Sequence, residues 1–400
     1  MIFDRHHFQF FGGREMGALY MTLGLLSFAE GLIGVFVPIY FWQLGFSIPK
    51  ILFFYFLNSL YFVALTFLLL PALRRLSDKM MMFLSIPFLI LYFLGLNFIV
   101  EMAFLFFALP FALAINMLFF NVGYHASFSG AADDDHIGRE VGLRYMVGSL
   151  VQFSAPFFGG LLITFVGFQN TFTAGGVILF LAVLPLFFFQ RRSLSPLLGG
   201  RSLVQFLIDR RLLPFNLSGF GYANEVMVGR IVWPLFIFFV VGSIENFGAV
   251  LSAGLLAGAV VTYFVGFLAD AGRRRRTLGW ATAVFTAIWA SRPFFAGAGA
   301  IVGTHVAGNI ANAALMVAWS SQYYRLAHAS PDAGLFILSR EVLYHLSRVF
   351  FLPILIVLAR VLPQNIFFQT SFAIAAALTL FFFFANRMHR SNFKEMNVVR

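Results

Sequence analysis

Apolar runs punctuated by short polar breaks divide this chain into twelve segments, each long enough to cross a bilayer as a helix, which takes about 20 residues. The runs fall at residues 17–43, 48–73, 80–98, 101–125, 141–166 and 169–189 in the first half. In the second they fall at 215–241, 245–269, 277–296, 298–323, 336–360 and 365–386. One break is much longer than the others. Gln190–Pro214 is strongly basic through Arg191, Arg192, Arg201, Arg210 and Arg211, while Pro196, Gly199 and Gly200 keep its first part from regular helix. Leu203, Phe206 and Leu207 then recur at helical spacing beside charges, which predicts a short amphipathic helix lying on a membrane surface. The pattern predicts an all-α integral membrane protein with a six-helix bundle over residues 1–189, a linker over 190–214 and a second six-helix bundle over 215–400.

Composition narrows the class. A hydrophobic content of 60%, a charged content of 11% and a mean hydropathy of +0.88 exclude an ordinary soluble domain. The formal charge of +11 raises nucleic acid as a partner, but the basic residues are spread over loops, so the lipid bilayer is the expected surroundings and no nucleic acid is expected. Arg14, Arg74, Arg75, Lys79, Arg139, the linker arginines, Arg273–Arg276, Arg325, Arg340 and Arg387 fall on one face, whereas the opposite loops offer Lys50 and Arg360. The positive-inside rule makes the first face cytoplasmic, with both termini there, in a plasma membrane or a bacterial inner membrane. Met1–Met16 carries no small-residue cleavage site, so no cleavable signal peptide is expected.

Several chemistries drop out. Without cysteine there is no disulfide framework and no thiolate metal site, and His125, His305 and His345 sit on different spans with no dense acidic company, so no metal or cofactor is expected. Asp133–His136 reads as a solvated charge run in a loop. No Gly-x4-Gly-Lys-Ser/Thr phosphate loop occurs, which leaves ATP-driven pumping unsupported.

The two halves repeat. Glu30-x3-Gly34-x3-Pro38 in span one is echoed by Glu225-x3-Gly229-x4-Pro234 in span seven. Arg139-Glu140-Val141 is echoed by Arg340-Glu341-Val342, and Pro156 by Pro353, at a near-constant offset of roughly 200 residues. Parallel repeats suit two pseudo-equivalent bundles rocking about a site between them. Between spans eight and nine, Gly266-x3-Asp270-Ala271-Gly272-Arg273-Arg274 resembles the loop motif of the major facilitator superfamily, one residue short after the aspartate. Between spans two and three Asp78-Lys79 survives, with Arg74 where that family has glycine. Gly142, Pro156, Gly159 and Gly160 match part of the family's exchanger pattern in span five, with Val151 and Ala155 replacing glycines. With the span count, the linker and the repeat, the sequence resembles this superfamily over nearly its whole length. The resemblance implies a monomeric secondary active transporter, not an enzyme, moving a small solute by alternating access with proton coupling, as symport or antiport. A second reading, from the degraded first loop motif, is a non-transporting receptor or assembly protein on the same fold.

Ionisable groups inside a membrane cost about 2.5–3.5 kcal/mol on insertion scales, so each requires a reason. Glu30 and Glu225 sit near mid-span, roughly 20 and 15 Å from the cytoplasmic ends of their helices, and either is a candidate proton carrier. Depth predicts partners. Arg348, roughly 12 Å into span eleven, is expected to pair with Glu225, and Asn58, roughly 22 Å from the cytoplasmic end of span two, to hydrogen-bond Glu30. His305, Asn309, Asn312 and Trp319 recur on roughly one face of span ten, and Asn121 and His125 on span four are four apart, with Asn116 about one turn earlier. The resemblance places spans one, four, seven and ten around a central path, which makes these residues and Arg230 candidate ligands for solute or proton. Interhelical glue is the equal alternative for the asparagines and histidines. Arg230 and Arg348, should they face that path, favour an anionic or amphipathic solute, whereas the exchanger-like residues point to efflux of hydrophobic compounds. Arg292 is expected to snorkel to the far surface.

Glu140 and Glu341 open spans five and eleven, where a carboxylate complements the helix dipole. The resemblance implies that the loops carrying Asp78 with Lys79, and Asp270 with Arg273, face these helix starts. Contacts Asp78–Arg340 and Asp270–Arg139 are thus expected to hold the cytoplasmic side closed.

Overall fold

A computed structural model describes residues 14–131, 137–182, 184, 203–268, 273–295, 297–330 and 332–387. Among them, ten stretches are long and apolar enough to cross a membrane, the longest being Val141–Leu181 with 41 residues. That stretch is two passes. Helix Ile137–Gln152 gives way to Ala155–Leu181, within which Gly167 takes φ 82° and ψ 168°. Gly159 lies against the backbone of Leu32, and Gly175 against the side chain of the next residue, Ile33. Positions 159 and 175 would stand about 24 Å apart on a straight helix, so the chain doubles back at Gly167, a conformation that glycine adopts freely.

Helix Arg274–Ser291 is a further pass. Its leading arginines and its threonines depress its hydropathy, yet it packs against helices Ala298–Ala329 and Gln364–Thr379. The ten stretches thereby become the twelve expected. Spans four and ten run on to Ala131 and Ala329, past their expected ends at 125 and 323. Hydropathy reports where the oil ends, whereas backbone hydrogen bonding continues the helix into polar surroundings.

The basic linker departs from expectation where it can be followed. Residues 190–202 lie outside the described residues. Helix Leu203–Ile208 buries Leu203 and Phe206 and packs against span eleven, Ala333–Val361, so protein and not lipid covers that apolar face.

Spans one and seven are broken at equivalent places. Helix Arg14–Ile33 passes through the 3-10 turn Gly34–Phe36 into Val37–Gln43, and helix Leu213–Met227 passes through the π turn Val228–Val232 into Trp233–Val241. Pro38 and Pro234 follow these breaks, and each lacks the N–H that would close the preceding helical turn on Gly34 or Arg230. The repeat read in the sequence is therefore a repeat of backbone irregularity.

The six-helix halves meet chiefly where span five touches span eight, Ile244–Leu268, and where span two, Ile48–Leu73, touches span eleven. A Cβ on Gly160 would come within 2.9 Å of the Ile244 carbonyl, and one on Gly248 within 2.3 Å of the Pro156 carbonyl. Small residues on both sides let these two backbones touch. The Phe157 N–H, in the first turn after the break at residues 153–154, lacks a partner in its own helix and donates to Ser252 Oγ across the seam at 3.0 Å. On the other seam, Phe62 stacks on His345 with ring centroids 3.7 Å apart.

Candidate functional site

The inner helices carry two charges that protein does not satisfy. On span one, Ala29, Gly31, Leu32 and Ile33 are buried while Glu30 between them is exposed. On span seven, partial exposure runs along one helical face through Tyr222, Val226 and Gly229 to Arg230, which is exposed within the π turn. Neither Glu30 nor Arg230 makes a hydrogen bond or ion pair with any described residue. Arg230 is the charge whose field reaches Glu30, and it also reaches Tyr55 on span two and Tyr222. The two side chains thus lie within electrostatic reach of one another across the halves.

The halves touch above and below this level. At the far end, Trp42 packs on Phe239 with centroids 4.9 Å apart, and Thr164 Oγ1 donates to Glu245 at 3.0 Å. At the arginine-rich end, Asn121 Nδ2 donates to Glu341 Oε2 at 3.0 Å. His125 Nδ1 and the Tyr324 hydroxyl share a bond of 2.6 Å, Tyr145 and Ser320 hydroxyls one of 2.9 Å, and His328 meets the Ser129 carbonyl. Glu30 and Arg230 therefore keep their solvent exposure in an interior cavity between two zones of contact.

Glu225 occupies different surroundings. It is buried within the second half and accepts from Trp289 Nε1 at 3.0 Å. Arg292, the foremost charge acting on it, lies between Trp233 and Trp289 with its guanidinium carbon 3.8 Å from each ring centroid. Trp233 Nε1 donates to His305 Nδ1 at 3.1 Å, and Asn309 Nδ2 donates to the His305 carbonyl at 3.0 Å. Spans seven, nine and ten thus hold a closed polar cluster beside the cavity. Arg292 corrects the expectation that it snorkels: it is buried, because two indole faces and the Glu225 carboxylate replace water around its charge.

Neither predicted partnership of the mid-span glutamates forms. Arg348 Nε donates to the Ala223 carbonyl at 3.1 Å and Nη1 approaches His345 Nε2 at 3.4 Å, so it does not pair with Glu225. Positions 223 and 225 differ by about 200° round the helix. Span eleven lies on the side of Ala223, and span nine, Arg274–Ser291, on the side of Glu225. Depth cannot see this rotation. Asn58 turns into its own half and donates to the Pro110 carbonyl at 3.1 Å instead of bonding Glu30.

Two other candidates are placed as glue. Asn116 Nδ2 donates to the Ser85 carbonyl and Trp319 Nε1 to Ser218 Oγ, both at 3.1 Å. Asn312 is partly exposed and bonds to no described residue. Asn58→Ala should lower thermal stability in detergent by about 1–2 kcal/mol, because a buried bond between spans two and four is lost without touching the cavity. An unchanged unfolding temperature would contradict that placement.

The gate is built differently from expectation. Asp78 is buried and accepts from Ser127 Oγ at 2.6 Å inside its own half. Arg340 pairs with Glu341 and lies 3.7 Å from the Tyr323 ring centroid, so Asp78–Arg340 does not form. The N-terminal position of Asp78 on its helix and its neighbour Ser127 already satisfy the carboxylate. Asp270 lies outside the described residues, as do the side chains of Arg139 and Glu140. Lys79 is partly exposed and Arg273 exposed. Of the links between halves at this end, Asn121 to Glu341 is the one that engages an expected gate residue. Asn121→Ala should therefore raise, severalfold, the labelling rate of a Val226→Cys reporter from the arginine-rich side. The native chain has no cysteine, so the reporter is unambiguous.

No protein-family model matches the sequence, and no curated protein is similar to it. Solved structures are. The human organic anion transporter MFSD10 (TETRAN) has a TM-score of 0.66 at 13% identity, covering 93% of this chain and 99% of its own. A variant of the fucose:proton symporter FucP of E. coli has a TM-score of 0.65 at 15% identity, covering 93% and 97%. The chain has the major facilitator superfamily fold.

Proposed function

Starting from the major facilitator fold, we propose that this protein is a secondary active transporter that moves a small solute by alternating access. The carrying observation is Glu30 opposite Arg230: unpartnered charges on the two halves, at the helix breaks, exposed between contact zones at both ends. Broken helices near mid-membrane place backbone and charge where a solute can be held, and the halves rock about that point. Residues 1–189 and 215–400 are the rocking bodies, and the arginine-rich end faces the cytoplasm. Glu225, enclosed with Trp289 and Arg292, is the candidate for proton coupling, whereas Glu30 and Arg230 contact the solute. Support also comes from the two similar structures, both named as transporters.

Counterflow in proteoliposomes, with and without a pH gradient, tests this. Glu30→Gln and Arg230→Gln are each expected to lower flux by roughly 100-fold, the order expected when a group that positions a solute is removed. Thermal stability should hardly change, because neither side chain bonds to protein. A variant that keeps full flux would remove its residue from the site, and a protein without flux for any solute or gradient would end the transport reading.

A further inference from the structure

Resting on the transporter reading, we infer that the solute is a small zwitterion, its anionic group held by Arg230 and its cationic group by Glu30. Two opposite charges stand in one cavity, yet no bond joins them to each other or to any other described residue. Neutralisation by a neighbour, the ordinary way to tolerate a charge at this depth, has not been used. With no partner among the described residues, each group is left to solvent or to a solute. When a solute displaces that solvent, whichever charge it leaves unmatched is desolvated without compensation.

This decides between solute classes. A monoanion matches Arg230 and strands Glu30, a monocation does the reverse, and an uncharged solute strands both. A zwitterion meets both and leaves the loaded cavity as neutral as the empty one. The side-chain chemistry suits each end. A planar guanidinium takes a carboxylate or phosphate through two parallel N–H bonds. A carboxylate offers an ammonium group its opposite charge, and Tyr55 and Tyr222, both within the field of Arg230, add aromatic faces between the two ends. The two charges also belong to different halves, so a solute carrying both signs ties the halves together, whereas one carrying a single sign engages only one.

Thermal stabilisation of the purified protein by matched probes tests the inference. The panel is leucine, glutamine and glycine betaine, with 4-methylpentanoate (leucine without its ammonium) and 3-methylbutylamine (leucine without its carboxylate). At least one zwitterion should stabilise the protein, and one-charge analogues should bind on the order of tenfold more weakly or worse. Glu30→Gln should erase discrimination against the acid, and Arg230→Gln discrimination against the amine. An acid that binds as tightly as its zwitterion, discrimination untouched by Glu30→Gln, or no stabilisation by any zwitterion overturns the proposal. Selective zwitterion binding without flux in proteoliposomes would end the transport reading and leave this inference standing. Proton-driven flux of a monoanion would do the opposite.

Discussion

Arg292→Ala is expected to destabilise the protein by about 3–5 kcal/mol, the range for removing one partner of a buried charge pair. The guanidinium fills the space between Trp233 and Trp289, 3.8 Å from each centroid, and desolvated contacts of this kind are worth about 2 kcal/mol each. Its loss empties that slot and leaves the buried Glu225 with its Trp289 bond alone. Arg292 Nε and Nη1 are buried without hydrogen-bond partners, so part of the native stabilisation is offset by their desolvation. Arg292→Met, which refills the slot without orphan donors, should therefore cost much less than Arg292→Ala. Glu225→Gln keeps an oxygen for Trp289 but leaves the buried Arg292 without its opposite charge, so it should cost more than Arg292→Met. A double-mutant cycle between positions 225 and 292 should return a coupling of about 0.5–3 kcal/mol. Thermal unfolding in detergent with Arg292→Ala within about 1 kcal/mol of wild type would show that the cluster does not stabilise the second half.

The second large effect is steric. Gly248→Leu would put a Cβ 2.3 Å from the Pro156 carbonyl oxygen, a backbone atom in the other half that no rotamer change can move away. Spans five and eight must separate, and Phe157 then loses its bond to Ser252. Flux should fall to background, and a reporter cysteine on this seam should become reactive from the far side. Gly279→Leu is the control. It also sits in a membrane helix, but nothing lies within 4 Å of its Cβ, so the same substitution should be silent or slightly stabilising through helix propensity. Retained flux in Gly248→Leu would mean that the seam opens without cost and that transport does not depend on this contact.

Some of this was legible in one dimension. Burial of apolar surface is local in sequence, so span positions followed from runs of hydrophobic residues, and the proline and glycine landmarks marked where spans one and seven break. Glu30, Glu225 and Arg230 were also visible as charges in the wrong solvent. Their surroundings were not. Depth pairs Glu225 with Arg348, but Glu225 points to span nine, and Arg292, expected at the surface, sits inside with it.

The order of apolar and polar residues by itself determined the twelve passes, their duplication and which few side chains had to be explained, because those depend on each residue's transfer energy and on backbone chemistry. Only the tertiary structure decided which charges are enclosed, as Glu225 and Arg292 are, and which are left exposed without a partner among the described residues, as Glu30 and Arg230 are. That outcome depends on the rotation of each helix about its axis. Rotation is set by close contacts such as Gly159 on Leu32 and Gly248 on Pro156, between residues far apart in the chain.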